Sequence, residues 1–236
     1  MKPNLSIIVP AWNVERTIAH TLQHVTEVPW EHYPTRLDSR KHYELIVIDD
    51  GSTDRTYEEA WPWSDLLVRH RLRLGKEAAI QAGIARAQGE IVLILDADLQ
   101  ETAKLAPRLL EPILWADADL VIGTLPSPAR SGISGLAKRL TAGGAFRSSG
   151  SKTAAPLSGQ RAMRADRLRE LEELFRGFGS EAALARDAQQ RGLRIAEIAV
   201  PFEHRDSRHE WHGSARSRGQ QLAAAGAALF SRWRWR

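Results

Sequence analysis

A chain of 236 residues with 43% apolar content and a formal charge of +4 can bury the core of one large domain and has the balance of an ordinary globular protein. It has no cysteine, which excludes disulfide frameworks and thiolate metal sites and fits a reducing compartment, so a cytoplasmic protein is expected. No run approaches the roughly eighteen apolar residues of a membrane span, and the first apolar run, residues 5–9, is too short for the core of a signal peptide.

The elements alternate as a mostly parallel α/β sheet requires. Residues 5–10 read as a first strand. Residues 14–25 read as a helix, with Asn13 as its cap and Ile18, Leu22 and Val25 on its apolar face. Residues 27–43 are polar, aromatic-rich and aperiodic, an unusually long connection of the kind that often carries function. Residues 44–48 form a second strand that breaks at Asp49-Asp50-Gly51-Ser52-Thr53-Asp54, followed by a short helix over 56–61 and a third strand over 65–71. Residues 76–87 are a helix with Ala79, Ile80, Gly83, Ile84 and Ala87 on one face, small enough for close packing, and Gly89 stops it. The apolar run 91–95 is a fourth strand, followed by an acidic turn, a helix over about 102–115 and a fifth strand over 119–123. Strands apolar throughout are covered on both faces, so helices are expected on both sides of the sheet.

Between Pro126 and Pro156, Ser, Gly, Ala and five basic residues dominate, and the segment reads as a mobile loop with a short helix near 136–140. Helices over 168–175 and 181–191, a strand over 193–200 and a last helix over 214–230 complete the chain. One domain is expected, with residues 1–125 binding a donor or cofactor, 126–213 shaping the other substrate's site and 214–236 forming a basic C-terminal helix. Past Pro201, seven Arg stand against Glu203, Asp206 and Glu210, and the chain ends Phe230-Ser-Arg-Trp-Arg-Trp-Arg236. A basic, Trp-bearing helix can lie in a membrane interface, so a peripheral contact at the inner membrane face stands beside the alternative of a solvated, frayed end. The charge is local and no recognition motif accompanies it, so no nucleic-acid partner is expected.

Three turns follow strands one, two and four: Pro10-Ala11-Trp12-Asn13, Asp49-Asp50-Gly51-Ser52 and Asp96-Ala97-Asp98-Leu99-Gln100. Parallel strands put all three at one edge, where open α/β sheets bind ligands. Two carboxylates and an amide oxygen suit Mg²⁺ or Mn²⁺, which binds through carboxylates together with substrate phosphates. A lone Asp-x-Asp also serves as a solvated turn, with Asp96 capping the next helix. Gly75-Lys76 opens a helix beside the same edge, where N-terminal amides and an ammonium favour phosphate. Together these parts read as a nucleotide-diphosphate site.

The segments "SIIVPAWNVERTI", "ELIVIDDGSTDRT", "GKEAAIQAGIARAQGEIVLILDADLQ" and "PLSGQRAMRAD" resemble a family 2 glycosyltransferase with the GT-A fold, in the family's order over most of residues 5–166. The resemblance implies an α/β, Rossmann-like GT-A domain that moves a hexose from a nucleotide diphosphate sugar, a UDP-sugar being favoured. It implies that Pro10, Ala11, Asn13 and Asp50 belong to the nucleobase end, that Gly75 and Lys76 approach the nucleotide, and that Asp96, Ala97 and Asp98 form the DXD motif. Gln100 matches a metal-binding Gln of the polyprenyl-phosphate branch. That branch usually carries Glu after the Asn of the first turn; Val14 stands there, with Glu15 next to it. Trp12 matches a position that stacks near the base or packs into the core. The Gln-x-x-Arg-Trp motif of processive synthases is absent.

The later segment "GFGSEAALARDAQQRGLRIAEIAVPFEHR" resembles soluble enzymes of the glucosyl-3-phosphoglycerate synthase type, which implies His204 as a further metal ligand. A His-Arg pair after a strand also fits an ordinary surface, whereas an imidazole among the ligands favours Mn²⁺. Glu181 is either a first-turn Glu favoured by the helix dipole or the group that accepts the acceptor hydroxyl's proton. Arg161 and Arg164 are candidates to hold an anionic acceptor, either a small phosphate-bearing molecule or a lipid phosphate. Two other readings remain: a nucleotidyltransferase, which needs a glycine-rich loop after strand one, and a catalytically silent nucleotide-sugar-binding module.

Overall fold

The computed structural model describes residues 3–33, 42–124, 157–170, 188 and 190–204, with only the backbone of 157, 158, 169 and 170. In chain order it contains β1 (Leu5–Ala11), α1 (Ile18–Thr26), β2 (Tyr43–Asp49), α2 (Thr56–Ala60), β3 (Leu66–Arg69), α3 (Lys76–Ile84), β4 (Ile91–Ile94), α4 (Glu111–Leu114), β5 (Leu120–Thr124), β6 (Leu157–Arg164), α5 (Ala165–Glu170) and β7 (Ile195–Ala199). Expectations for 126–156, Glu181 and the tail 214–236 fall outside the described residues.

The strands form a seven-stranded sheet in the order β3-β2-β1-β4-β6-β5-β7. Adjacent pairs are parallel except those made by β6, which runs antiparallel to both β4 and β5. This is the mostly parallel α/β arrangement expected, and helices cover both faces. Side chains alternate along a strand, so Ile7, Val9, Leu45, Val47 and Leu93 pack on one side with Ile18, Leu22 and Val25 of α1. Ile8, Ile46, Ile48, Val92 and Ile94 pack on the other side with Ala79 and Ile80 of α3. α3 lies so close to β1 that a Cβ on Gly83 would sit 2.5 Å from Ile8 Cγ2, so its small-residue face is a packing requirement.

Two local expectations need correction, and one strand was not anticipated. Asn13 does not cap α1, whose first turn follows Thr17 without a side-chain cap. The helix expected over 102–115 is a 3₁₀ segment, Gln100–Leu109, followed by the single turn of α4. Pro107 has no amide hydrogen to continue an α-helical ladder, and Pro112 fits only within the first turn of a new helix. The segment 157–164 was not read as a strand. In β6, Arg161 stands opposite both Ile94 and Ile122, and the strand is entered at the pair Thr124 and Leu157.

Candidate active site

The parallel register brings the ends of β1, β2 and β4 to one edge, and hydrogen bonds lock their turns together. Asp50 N–H donates to Ala11 O at 2.8 Å, extending the β1–β2 ladder by one residue. Asn13, at φ 50°, donates its amide to Ser52 Oγ (2.9 Å) and accepts the amide of Thr53 on its Oδ1 (2.8 Å). Asn13 therefore ties the first turn to the second, which is why it is unavailable to α1. Glu15 faces the same seam, its carboxylate accepting Arg55 N–H at 2.9 Å.

Asp50, placed at the nucleobase by the resemblance, has a side chain with no exposure and is turned inward. Its Oδ1 accepts from His70 Nδ1 (2.8 Å) and Leu74 N (2.9 Å), and its Oδ2 from Gly75 N (2.7 Å). Trp12 is half-buried, and the Arg73 guanidinium lies 3.5 Å from its ring centroid, a cation–π contact rather than core packing.

Gly75, the residue before α3, takes φ 103°, and the first residue of the helix, Lys76, pairs through Nζ with Asp96 Oδ1. Asp96 Oδ2 accepts Gln160 Nε2 at 2.8 Å. A carboxylate only accepts, so this bond fixes the amide's orientation and makes Gln160 Oε1 an acceptor. That oxygen is buried without a hydrogen-bond partner among the described residues. Asp98 Oδ1 lies 2.9 Å from His204 Nδ1, with Asp96 Oδ2 at 4.0 Å from the same nitrogen. Burial pushes the Asp96 carboxyl up, but Lys76, His204 and Arg161 outweigh it and hold the group below the usual carboxylate range. The hydrogen bond to Asp98 raises the His204 imidazole, against burial and the charge of Lys76.

Asp96, Asp98 and His204 each offer a ligand atom, all within 4.8 Å of one another. Two carboxylates and an imidazole suit Mn²⁺, and the orphaned Gln160 oxygen adds an acceptor beside them. Thr21 of α1 holds the acidic turn from beneath, accepting Gln100 N–H at 2.8 Å and donating to Ala97 O at 2.9 Å. Gln100 itself takes φ 48°. The segment after β7 is held by Glu203 N–H on Thr102 Oγ1 at 3.2 Å, which brings His204 across to Asp98.

The model described as "Glycosyl transferase family 2" matches residues 6–144, more than half of the chain. The chain belongs to glycosyl transferase family 2. Among this family 2 chain's curated relatives, dodecaprenyl-phosphate galacturonate synthase of Rhizobium johnstonii is 32% identical over 125 residues, 50% of this chain and 35% of that protein. Dolichol-phosphate mannosyltransferase of Pyrococcus furiosus is 29% identical over 127 residues, 51% of this chain and 32% of that protein. The matched part is thus well under half the length of either relative.

Two crystal structures of glucosyl-3-phosphoglycerate synthase from Mycobacterium tuberculosis superpose on 98% of this chain and 79% of theirs at 25% identity. One, with Mg²⁺ and UDP, gives a TM-score of 0.63; the other, with Mn²⁺ and UDP-glucose, gives 0.61. A third, with phosphoglyceric acid, covers 86% of this chain and 72% of its own at 25% identity and a TM-score of 0.61.

Side-chain contacts bring together Asp96, Asp98, Lys76 and His204, with Gln160 against Asp96. Arg161 is 8% exposed on β6, its charge acting on Asp96. Arg164 is a correction to its expected role with the acceptor. It stands opposite Ile91, at the other end of β4, and its guanidinium pairs with Asp166 at 3.2 Å. Gln160 and Thr21 were missed. The signal for Gln160 was its place in "PLSGQRAMRAD", whereas Thr21 acts through tertiary contacts that leave no local pattern.

Proposed function

We propose that this chain transfers a hexose from a UDP-sugar to a phosphate-bearing acceptor with the help of a divalent cation. The observation that carries the reading is the grouping of Asp96, Asp98 and His204 beside Lys76 and the N-terminus of α3. Support also comes from family membership and from the UDP, UDP-glucose and metal named in the neighbouring complexes.

Asp98 and His204, with Asp96, would hold Mn²⁺ or Mg²⁺, and a bound cation would offset the charge of the departing diphosphate. Lys76 supplies a second positive charge at the same place, and the free amides of α3's first turn favour phosphate oxygens. The Pro10-Ala11-Trp12 turn borders the nucleobase end. On this reading Gln100 lines the metal side of the turn, and Glu181 approaches the acceptor when the attacking group is a hydroxyl that must lose a proton. An acceptor phosphate is already ionised and needs no such base. The named relatives act on lipid phosphates and a neighbouring complex holds phosphoglyceric acid, so the shared chemistry is a phosphomonoester.

The test is metal-dependent hydrolysis of a panel of nucleotide sugars, followed by mass spectrometry of products formed with polyprenyl phosphate and with phosphoglycerate. Turnover with a UDP-sugar that Asp98→Ala abolishes while the fold is retained is expected. A fully active Asp98→Ala variant, or no UDP affinity in the presence of Mn²⁺, would overturn it.

A further inference from the structure

We propose that His20 and His24, on the outer face of α1, form a second cation site that takes Zn²⁺, Ni²⁺ or Cu²⁺. It shares no residue with the group of Asp96, Asp98 and His204, and it does not depend on the donor-site reading.

The two histidines stand four residues apart on one helix, so their side chains rise from the same face one turn apart. Ile18, Thr21, Leu22 and Val25 make up the buried face, whereas His20 is exposed and His24 half-buried. The ring centroids lie 4.4 Å apart, edge towards face. Two histidines at this spacing on a helix can chelate one zinc-like cation.

A hydrogen bond sets the tautomer of one ring. His24 Nδ1 lies 2.7 Å from the His20 carbonyl oxygen. A carbonyl only accepts, so Nδ1 carries the hydrogen, and in the neutral ring Nε2 keeps the lone pair that binds a metal. A ring nitrogen anchored on a carbonyl is also what orients a ligating imidazole. Glu27, at the end of α1, adds a negative charge that attracts His24, and is itself held by Gln23 at 3.0 Å and Lys104 at 2.6 Å. Imidazole ligands suit Zn²⁺, Ni²⁺ and Cu²⁺, whereas Mg²⁺ and Ca²⁺ prefer oxygen.

The site has a mechanical consequence for its helix. α1 has nine residues and no side-chain cap, and helices this short draw little stability from their own backbone. A cation held by residues 20 and 24 closes one turn from outside. From the inner side of that turn, Thr21 bonds Ala97 O and Gln100 N–H, so the cation stiffens the support beneath the acidic turn.

The test titrates Zn²⁺ into the full chain carrying Asp98→Ala and His204→Ala, which disables the acidic-turn site, at a pH above the ordinary imidazole value of about 6.5. Binding should persist in this parent, and adding His20→Gln or His24→Gln should weaken it about tenfold or more as a chelate becomes a single ligand. With one equivalent of Cu²⁺, electron spin echo modulation should report two imidazoles in the parent and one in either variant. Amide exchange over residues 20–26 should slow with Zn²⁺ in the parent alone.

No Zn²⁺ binding in the parent, equal affinity in the variants, or the same imidazole count in all three would overturn the proposal. If the doubly substituted parent unfolds, wild type against His20→Gln decides it, read as the loss of one bound Zn²⁺.

Discussion

Replacing Gln160 by leucine should separate stability from metal affinity. Gln160 is fully buried, and its amide nitrogen donates to Asp96 at 2.8 Å while its carbonyl has no partner among the described residues. The substitution removes a hydrogen bond to a charged acceptor, costing about 1.5–3 kcal/mol, and also removes an unsatisfied buried oxygen, recovering about 1–3 kcal/mol. Leucine is of similar size, so the two terms nearly cancel. The net change should stay within about 1 kcal/mol, or about 2–4 °C in Tm for a chain of this length. Asp96, by contrast, loses the donor that fixes its Oδ2. Loss of such a support beside a metal ligand typically weakens metal binding about 10–100-fold. Thermal unfolding gives the first quantity, and calorimetric titration of Mn²⁺ at fixed UDP the second. A stability loss above about 3 kcal/mol, or wild-type Mn²⁺ affinity, would refute the reasoning.

His204→Ala should weaken Mn²⁺ binding at fixed UDP by about tenfold or more, because it removes a ligand and leaves Asp98 without its 2.9 Å partner; equal titration curves would exclude His204 from the site. Gly89→Ala should cost about 1–3 kcal/mol, since the new Cβ would sit 2.6 Å from Ser6 N and 2.8 Å from Leu5 C, both backbone atoms; an unchanged urea midpoint would contradict this. Asp119 is held below the usual carboxylate range chiefly by its hydrogen bonds from Arg194. Its contribution is complete above the unfolded-state value of about 4 and disappears as pH falls through the lower folded value. Arg194 is 54% exposed, so the effect is discounted to about 1 kcal/mol or less. Asp119→Asn should therefore lower the unfolding midpoint at pH 7 and converge with wild type as pH falls through the lowered folded value; a gap that persists in acid would argue against the ion pair.

The first half of the chain was legible because its strands are apolar in runs and its turns are chemically conspicuous. Ile7, Ile8 and Val9 need two covered faces, and the acidic turns can only end strands. β6 was not legible for the opposite reason. Gln160 and Arg161 are polar residues on a strand buried between β4 and β5, and no periodicity marks a strand whose polar side chains serve a site. Asn13 carries the same lesson: assigned to cap α1 by residue type and position, it is committed by tertiary hydrogen bonds that sequence spacing does not encode. Arg164 differs, since only the direction of β6 reveals that it lies at the far end of the sheet.

The pairing of Thr124 with Leu157 has a consequence for how the chain can diversify. The backbone leaves β5 at Thr124 and enters β6 at Leu157, its partner across the ladder, so the two ends of the intervening sequence are fixed at one point on the sheet rim. Lengthening a sequence between ends fixed in this way is inexpensive: each doubling adds only about 0.6 kcal/mol of closure entropy. The rim beside Gln160 and Asp96 is thus a natural cassette boundary. Sequence exchanged within it leaves the ladder of β1, β2 and β4 unaltered, and with it the constellation at their ends.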